Sequence, residues 1–297
     1  MTTTQSSRPS QRRMTVPDHA PDLGSVVILG GAGKTGARVA ARLTAHGIEA
    51  RFASRSTSPI FDWDDPTTWR GALEGARAAY IAYQPDLTIP GAAAAIGAVA
   101  GLAREVGVER LVLLSGRGED GAAASEQAAF AAHPYVTVCR CAWFSQNFTE
   151  GMFADALHTG VLAMSAPGDV PEPFLDLDDL ADVVVLALTE DGHSGVVHEL
   201  TGPVSVTLVE AVGIVSALSG RPVDFVRVSE GEFIAGAVAQ GLDEPAAAFL
   251  AGMFEELLDG RNITPATGVR EALGREPRSF HDWAKDGAAN DSWGGAR

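Results

Sequence analysis

Short apolar runs alternate along the chain with longer stretches in which apolar residues recur every three or four positions. Val26 to Leu29 is the first run; it ends in glycines, and from Lys34 Val39, Ala40 and Leu43 fall on one helical face. Glu49 to Arg55 reads as a second strand, Ile60 to Trp63 as a short third, and Thr67 to Leu73 as a helix. Ala78 to Tyr83 is a fourth strand, and Ala92 to Glu105 an Ala-rich helix ending at Gly107. Arg110 to Ser115 has the apolar interior of a strand buried on both faces of a parallel sheet. A helix from Ala122 to Ala132 and a strand from Tyr135 to Arg140 follow. This alternation predicts an α/β chain with a doubly wound parallel sheet and right-handed crossovers.

The rhythm changes at Trp143. Asn147 to His158 has helical spacing, Ala166 to Phe174 is a Pro/Gly-rich loop, and Leu177 to Leu188 is a helix with Asp178 and Asp179 in its first turn. Val196 to Leu200 and Asp224 to Val228 read as strands. Thr207 with Glu210, and Ser229 with Glu232, have capping-box spacing. Helices are expected across Pro245–Leu258 and Pro265–Leu273, the latter closed by Gly274. This part reads as a smaller α/β lobe lying over the carboxyl ends of the sheet, where open α/β sheets bind ligands.

The first strand-to-helix turn is Gly30-Gly-Ala-Gly-Lys-Thr-Gly36, with Gly30, Gly33 and Gly36 three apart. Such spacing lets the chain turn sharply, approach a pyrophosphate and seat the helix on the strand, while the helix's first N–H groups face the anion. The expected division is a flexible tail over 1–22 and a dinucleotide-binding core over 23–142. A mixed part over 143–284 completes the sheet and forms the substrate lobe, and a second flexible tail covers 285–297.

Composition narrows the partners. The 297 residues are 46% hydrophobic and 20% charged, enough for a sizeable core, and the net charge is −16. With no basic run to neutralise phosphates, nucleic-acid binding is not expected. No unbroken apolar stretch is long enough to span a membrane, and Met1 to Pro21 lacks the apolar core of a signal peptide. Cys139 and Cys141 lie two apart in a strand, so reduced, buried thiols in a cytoplasmic protein are expected. Cys-x-Cys without further Cys or clustered His gives no metal centre. A homodimer is compatible with the sequence.

The end of the second strand bears on cofactor choice. A site for NAD usually places Asp or Glu there; this chain has Ser54 and Arg55, which suit the 2′-phosphate of NADP(H). Lys34 in the turn is expected to add a second positive charge nearby, and Asp62 and Trp63 to border the adenine. Ser115 could hydrogen-bond a carbonyl oxygen or simply satisfy the strand end, and the loop Arg117-Gly-Glu-Asp-Gly121 could cover the cleft or be a solvated turn. His133 is expected at the surface.

The glycine turn with its Ser-Arg partner resembles the NmrA-like branch of the atypical short-chain dehydrogenases/reductases. So do Asp62-Trp-Asp-Asp-Pro66, Arg140-Cys-Ala-Trp-Phe-Ser-Gln-Asn147 and Phe174-Leu-Asp-Leu-Asp-Asp-Leu-Ala-Asp-Val183. The ending Leu273-Gly-Arg-Glu-Pro-Arg-Ser-Phe-His-Asp-Trp283 fits as well. The resemblance spans about Ser25 to Ala284. It implies a Rossmann core and an NADP(H) site at Gly30, Gly33, Lys34, Thr35, Gly36 and Arg55. It also implies that Tyr83, Ser115, Gly116, Trp143, Phe144 and Asn147 border the nicotinamide and substrate; Arg117, from the loop that could cover the cleft, is a further expected substrate contact.

The departures matter as much. Most short-chain reductases use Tyr-x-x-x-Lys, the Lys easing proton transfer by the Tyr. The tyrosines here are Tyr80, Tyr83 and Tyr135, the lysines Lys34 and Lys285, and none stand four apart in that order. Where many relatives carry a Lys four before a helix Glu, this chain has Ala122 before Glu126, and Cys141 follows the strand Arg in place of Pro. The expectation is an NADP(H)-dependent reductase of a quinonoid or aromatic small molecule, whose later proton solvent can supply. An aromatic polyketide of bacterial secondary metabolism, or a coupling step on one, is the narrower form, which rests on the resemblance alone. The alternative is an NADP(H)-binding redox sensor without turnover.

Overall fold

The computed structural model describes residues 25–290 apart from 32, 152 and 155–158. The expected tail over 1–22, the helix end at His158 and residues 291–297 lie outside the described residues.

The strands in chain order are β1 (Ser25–Leu29), β2 (Ala50–Ala53), β3 (Ala76–Ile81), β4 (Arg110–Gly116) and β5 (Thr137–Cys141). They continue as β6 (Val161–Met164), β7 (Pro171–Glu172), β8 (Val197–Leu200), β9 (Val206–Thr207) and β10 (Asp224–Arg227). Six form one parallel sheet ordered β2-β1-β3-β4-β5-β8. The chain winds outward from β1 to β2, then returns to the far side of β1 at β3, so the strand order reverses beside β1. That reversal is where ligands enter such sheets.

Alternation along the strands builds two cores. Val27 and Leu29 of β1, with Ala79, Ile81, Leu111 and Leu113, pack beneath the helices Ala92–Glu105 and Asp120–Ala132. Val26 and Ile28, with Ala78, Tyr80, Val112, Cys139 and Cys141, face the helices Lys34–Ala45 and Leu177–Thr189. Successive side chains of a strand point to opposite faces, so an all-apolar strand needs helices on both. Cys139 and Cys141 share a face and remain free thiols.

The remaining chain forms the smaller lobe. β6 pairs with β10 in parallel and β7 with β9 antiparallel, around a cluster of Phe148, Phe153, Phe174, Phe254, Phe280 and Trp283. Both expected capping boxes form: the Thr207 and Ser229 hydroxyls accept from Glu210 and Glu232 N–H, and the two carboxylates bond back.

Several expectations need correction. Ile60–Trp63 is not a strand: Asp62 and Asp65 make an isolated bridge, followed by a 3-10 turn at Pro66–Thr68 and the helix Trp69–Leu73. Asp62 accepts from Asp64 N–H, Asp65 from Thr67 N–H, and the Trp69 indole donates to Asp62 O, so side chains serve this backbone instead of a ladder. The helix expected over Asn147–His158 is described only over Asn147–Glu150, where Gly151 leaves helical geometry. β6 lies where no strand was expected, because its partner β10 is remote in sequence. Residues 285–289 are not tail but part of the helix Phe280–Ala289, capped by Ser279 and anchored by buried Phe280, Trp283 and Ala284. His133 is buried, not exposed, its Nε2 3.2 Å from Val108 O.

Candidate active site

The glycine turn stands at the carboxyl end of β1. Gly30 has φ +103° and Gly31 φ +78°, the left-handed region that glycine enters without strain. A Cβ on Gly30 would overlap the carbonyl oxygen of Ala82, just past β3, and one on Gly36 would lie 2.5 Å from Gly31 O and 3.1 Å from Ile28 Cγ2. The first glycine therefore makes the turn and the third seats the helix. Gly33 caps the helix Lys34–Ala45 with no side chain to offer and no acid in the first turn, so the leading N–H groups lack a side-chain acceptor. Such an end accepts an anion. Thr35, buried in the first turn, lies near the phenol of buried Tyr80, whose pKa burial raises well above the usual value.

Ser54 leans on the turn: a Cβ at Gly31 would sit 3.4 Å from its Cβ, and its Oγ lies 3.2 Å from Ser56 Oγ. Arg55 next to it is exposed, and no hydrogen bond or ion pair engages it among the described residues. Lys34 departs from expectation. Its Nζ donates to Asn147 Oδ1 at 3.4 Å beside Gly151, and burial lowers its pKa although the Glu150 carboxylate opposes this. Lys34 is thus engaged beyond β5 and leaves Arg55 as the uncommitted cation at the end of β2.

Asp62 and Trp63 lie between the ends of β2 and β3. The Trp63 ring meets Phe61 edge-on at 4.7 Å and Tyr83 at 4.6 Å. Tyr83 thus joins the aromatic group near the expected adenine edge. Burial, and then the Asp64 carboxylate, raise the pKa of its phenol. Among the described residues no hydrogen bond joins it to Ser115, whose hydroxyl donates to Glu126.

Ser115, at the end of β4, donates to Glu126 Oε1 at 2.6 Å. Arg140, its register partner on β5, clasps the same carboxylate through Nε at 3.0 Å and Nη2 at 2.5 Å, and reaches Glu199 on β8 at 2.8 Å. The Ser115 hydroxyl is therefore committed to a buried side-chain carboxylate from the helix Asp120–Ala132, neither to local backbone nor to open space. Glu126 has Arg140 as its cation.

The loop after β4 is clamped to the smaller lobe. Arg117 donates to Asn262 O at 2.8 Å and Thr264 O at 2.9 Å, Asn262 Nδ2 donates to Arg117 O at 3.2 Å, and Arg261 donates to Gly118 O at 3.0 Å. Arg117 accordingly bridges the two parts of the chain. Trp143 packs into the lobe's aromatic cluster, 5.5 Å from Phe254 and 5.8 Å from Phe153. Phe144, half-buried, packs against the core facing Leu177–Thr189, and its backbone is bridged to Leu175.

Two acids stand here that sequence reasoning passed over. Glu119 folds back over Gly116, where a Cβ would overlap its carboxyl oxygens. Burial, with Asp86 and Glu256 nearby, pushes its pKa to about 8. Glu172, buried on β7, is pushed to about 7 by burial against the opposing Trp143 N–H and the Arg117 charge. The signal for Glu119 was the Arg117–Gly121 loop itself; nothing local marks Glu172.

A glycine turn and an uncapped helix start at the switch point of a doubly wound sheet, with Arg55 unengaged at the end of β2, have the form of a dinucleotide cradle. No family model matches the chain. The oxidoreductase YesF of Bacillus subtilis is 30% identical over 274 residues, 89% of this chain and 95% of that protein. Agroclavine dehydrogenase of Claviceps fusiformis is 30% identical over 281 residues, 88% of this chain and 96% of that protein. Among solved structures, Citrobacter triphenylmethane reductase complexed with NADP(H) superposes with TM-score 0.69 at 20% identity, over 89% of this chain and 99% of that one. Escherichia coli quinone oxidoreductase QOR2 complexed with NADPH gives 0.70 at 22%, over 88% and 99%. The chain belongs to the NmrA-like, NAD(P)-binding atypical short-chain dehydrogenases/reductases.

Proposed function

We propose that this protein is an NADPH-dependent reductase of a conjugated, quinonoid or aromatic small molecule. The observation that carries the reading is the glycine cradle joined to an uncommitted Arg55 at the end of β2. Backbone N–H groups beyond Gly33 would hold the pyrophosphate, and the Arg55 guanidinium and Ser54 hydroxyl the 2′-phosphate. Asp62, Trp63 and Tyr83 would border the adenine. When bound there, NADPH supplies a hydride to a conjugated acceptor.

The acceptor class draws on what resembles the chain: relatives named for clavine dehydrogenation, and neighbours named as dye and quinone reductases. Gly116 and Trp143 would border the acceptor, beneath the clamp that Arg117 makes with the smaller lobe. A polycyclic aromatic such as an aromatic polyketide is the narrower candidate. Steady-state oxidation of NADPH with a panel of quinones, triarylmethane dyes and cyclic iminium ions tests the proposal, and saturable turnover above background is the expected result.

The second reading, a redox sensor that binds NADP(H) without turnover, draws on the commitment of Ser115 to Glu126 and of Tyr83 to Trp63. Tight NADPH binding with no turnover across the panel would select it.

A further inference from the structure

We propose that Glu119 is the acid that hands the reduced acceptor its proton. The inference rests on the reductase reading above and assigns the step for which the chain has no Tyr-x-x-x-Lys.

Position comes first. Glu119 follows β4 by three residues, and its carboxyl group covers Gly116 at the carboxyl end of that strand. It holds the N-cap position of the helix Asp120–Ala132 yet makes no capping bond. No hydrogen bond or ion pair engages its carboxyl group among the described residues. Its loop is fixed from the smaller lobe by the bonds of Arg117, Asn262 and Arg261, so the carboxyl group is rigidly placed rather than carried on a mobile tip. A half-buried, unpartnered carboxyl group on a clamped loop is costly to keep as an anion.

The surroundings push the same way. Asp86, from the loop after β3, and Glu256, from the helix Glu244–Leu257, are the acids that act on it, while Asp120 adjoins it. On β5 the neighbour is Cys141, a buried thiol. The two cations of the clamp are used elsewhere: Arg117 on two carbonyls and Glu199, Arg261 on Asp259 and Glu256. Glu119 consequently stays protonated at neutral pH, its pKa at about 8. Glu172 is the weaker candidate, because it is buried on β7 within the lobe and accepts the Trp143 N–H.

The step balances simply. The hydride brings both electrons to the acceptor; the Glu119 O–H bond breaks, its proton forms the new O–H or N–H bond on the acceptor's heteroatom, and water reprotonates the carboxylate. A positioned acid of this kind contributes about 10²-fold or more.

The test uses the full chain, NADPH and menadione across neutral and alkaline pH, with NADPH affinity measured by calorimetry. For the wild type, kcat should hold below the Glu119 pKa and fall above about 8. Glu119→Gln should lower kcat by about 10²-fold, lose that alkaline fall and bind NADPH as the wild type does; Glu119→Asp should recover part of the rate. A Glu119→Gln enzyme with wild-type kcat and the same alkaline fall would overturn the assignment and leave the reductase reading standing. So would a variant whose NADPH affinity falls in step with kcat, since that marks a structural role. A wild type that binds NADPH but never turns over would sink both together.

Discussion

Gly30 lies against Ala82 so closely that a single added methyl group would overlap the Ala82 carbonyl oxygen, while Ala82 N–H bonds Leu29 O at 3.1 Å. The turn that would hold the pyrophosphate is thus stitched to the strand that returns beside it. Gly30→Ala must relieve a backbone overlap and a φ of +103° together, and should cost at least ~2 kcal/mol and most of the NADPH affinity. Gly47→Ala is the control, with φ +73° and nothing within 4 Å of the new methyl; about 1 kcal/mol is expected there. Urea unfolding of the two variants makes the comparison.

Arg55 is the one expected 2′-phosphate cation that the fold leaves uncommitted, Lys34 being bound to Asn147. Arg55→Ala should weaken NADPH by at least ~1.5 kcal/mol, the scale of a charged hydrogen bond, and barely touch NADH. Calorimetric titration of both nucleotides measures this, and equal losses would refute the assignment.

Legibility followed the range of the interactions. The strand-to-helix alternation, the glycine turn and both capping boxes are set by neighbours within a few residues, so the pattern displays them. β6 was hidden because its partner β10 is far along the chain. Ile60–Trp63 misled because its aromatic residues suit a strand, while Asp62 and Asp65 supply local acceptors that end one. In the site, residue types were readable but not allegiances. Ser115, Lys34 and Phe144 are each of a type that could face a ligand; the partners they have here, Glu126, Asn147 and Leu175, come from other elements that no local pattern announces. Glu119 escaped notice because an unpaired carboxyl group is recognised only once its surroundings are known.

Stability should fall on the alkaline side. Glu119 and Glu172 have folded pKa values of about 8 and about 7 against an ordinary 4.5. Protonation therefore favours the folded chain. That contribution is complete below the ordinary value, is lost progressively as pH rises from there at up to ~1.4 kcal/mol per pH unit for each group, and is gone once pH has passed about 7 and about 8. The urea midpoint should drop from mildly acidic to alkaline pH, and Glu119→Gln should flatten the drop and exceed the wild type at the alkaline end. Parallel curves for the two proteins would show that Glu119 carries no such strain.

The Ser115–Glu126–Arg140 set makes a prediction that separates structure from chemistry. The Glu126 side chain is only 5% exposed and Arg140 is its cation. Arg140→Met would strand that charge in the interior, at a cost of ~3–5 kcal/mol. Replacing Glu126 by Leu in the same protein should recover much of the loss, because no buried charge is then left without a partner. Ser115→Ala removes one hydrogen bond to the carboxylate and should cost about 1–3 kcal/mol. It should leave kcat within a small factor, since the hydroxyl proton is already given to Glu126. A hundredfold fall in kcat with unchanged stability would instead mean that Ser115 turns toward the acceptor when nucleotide binds, and the network would then be its resting position.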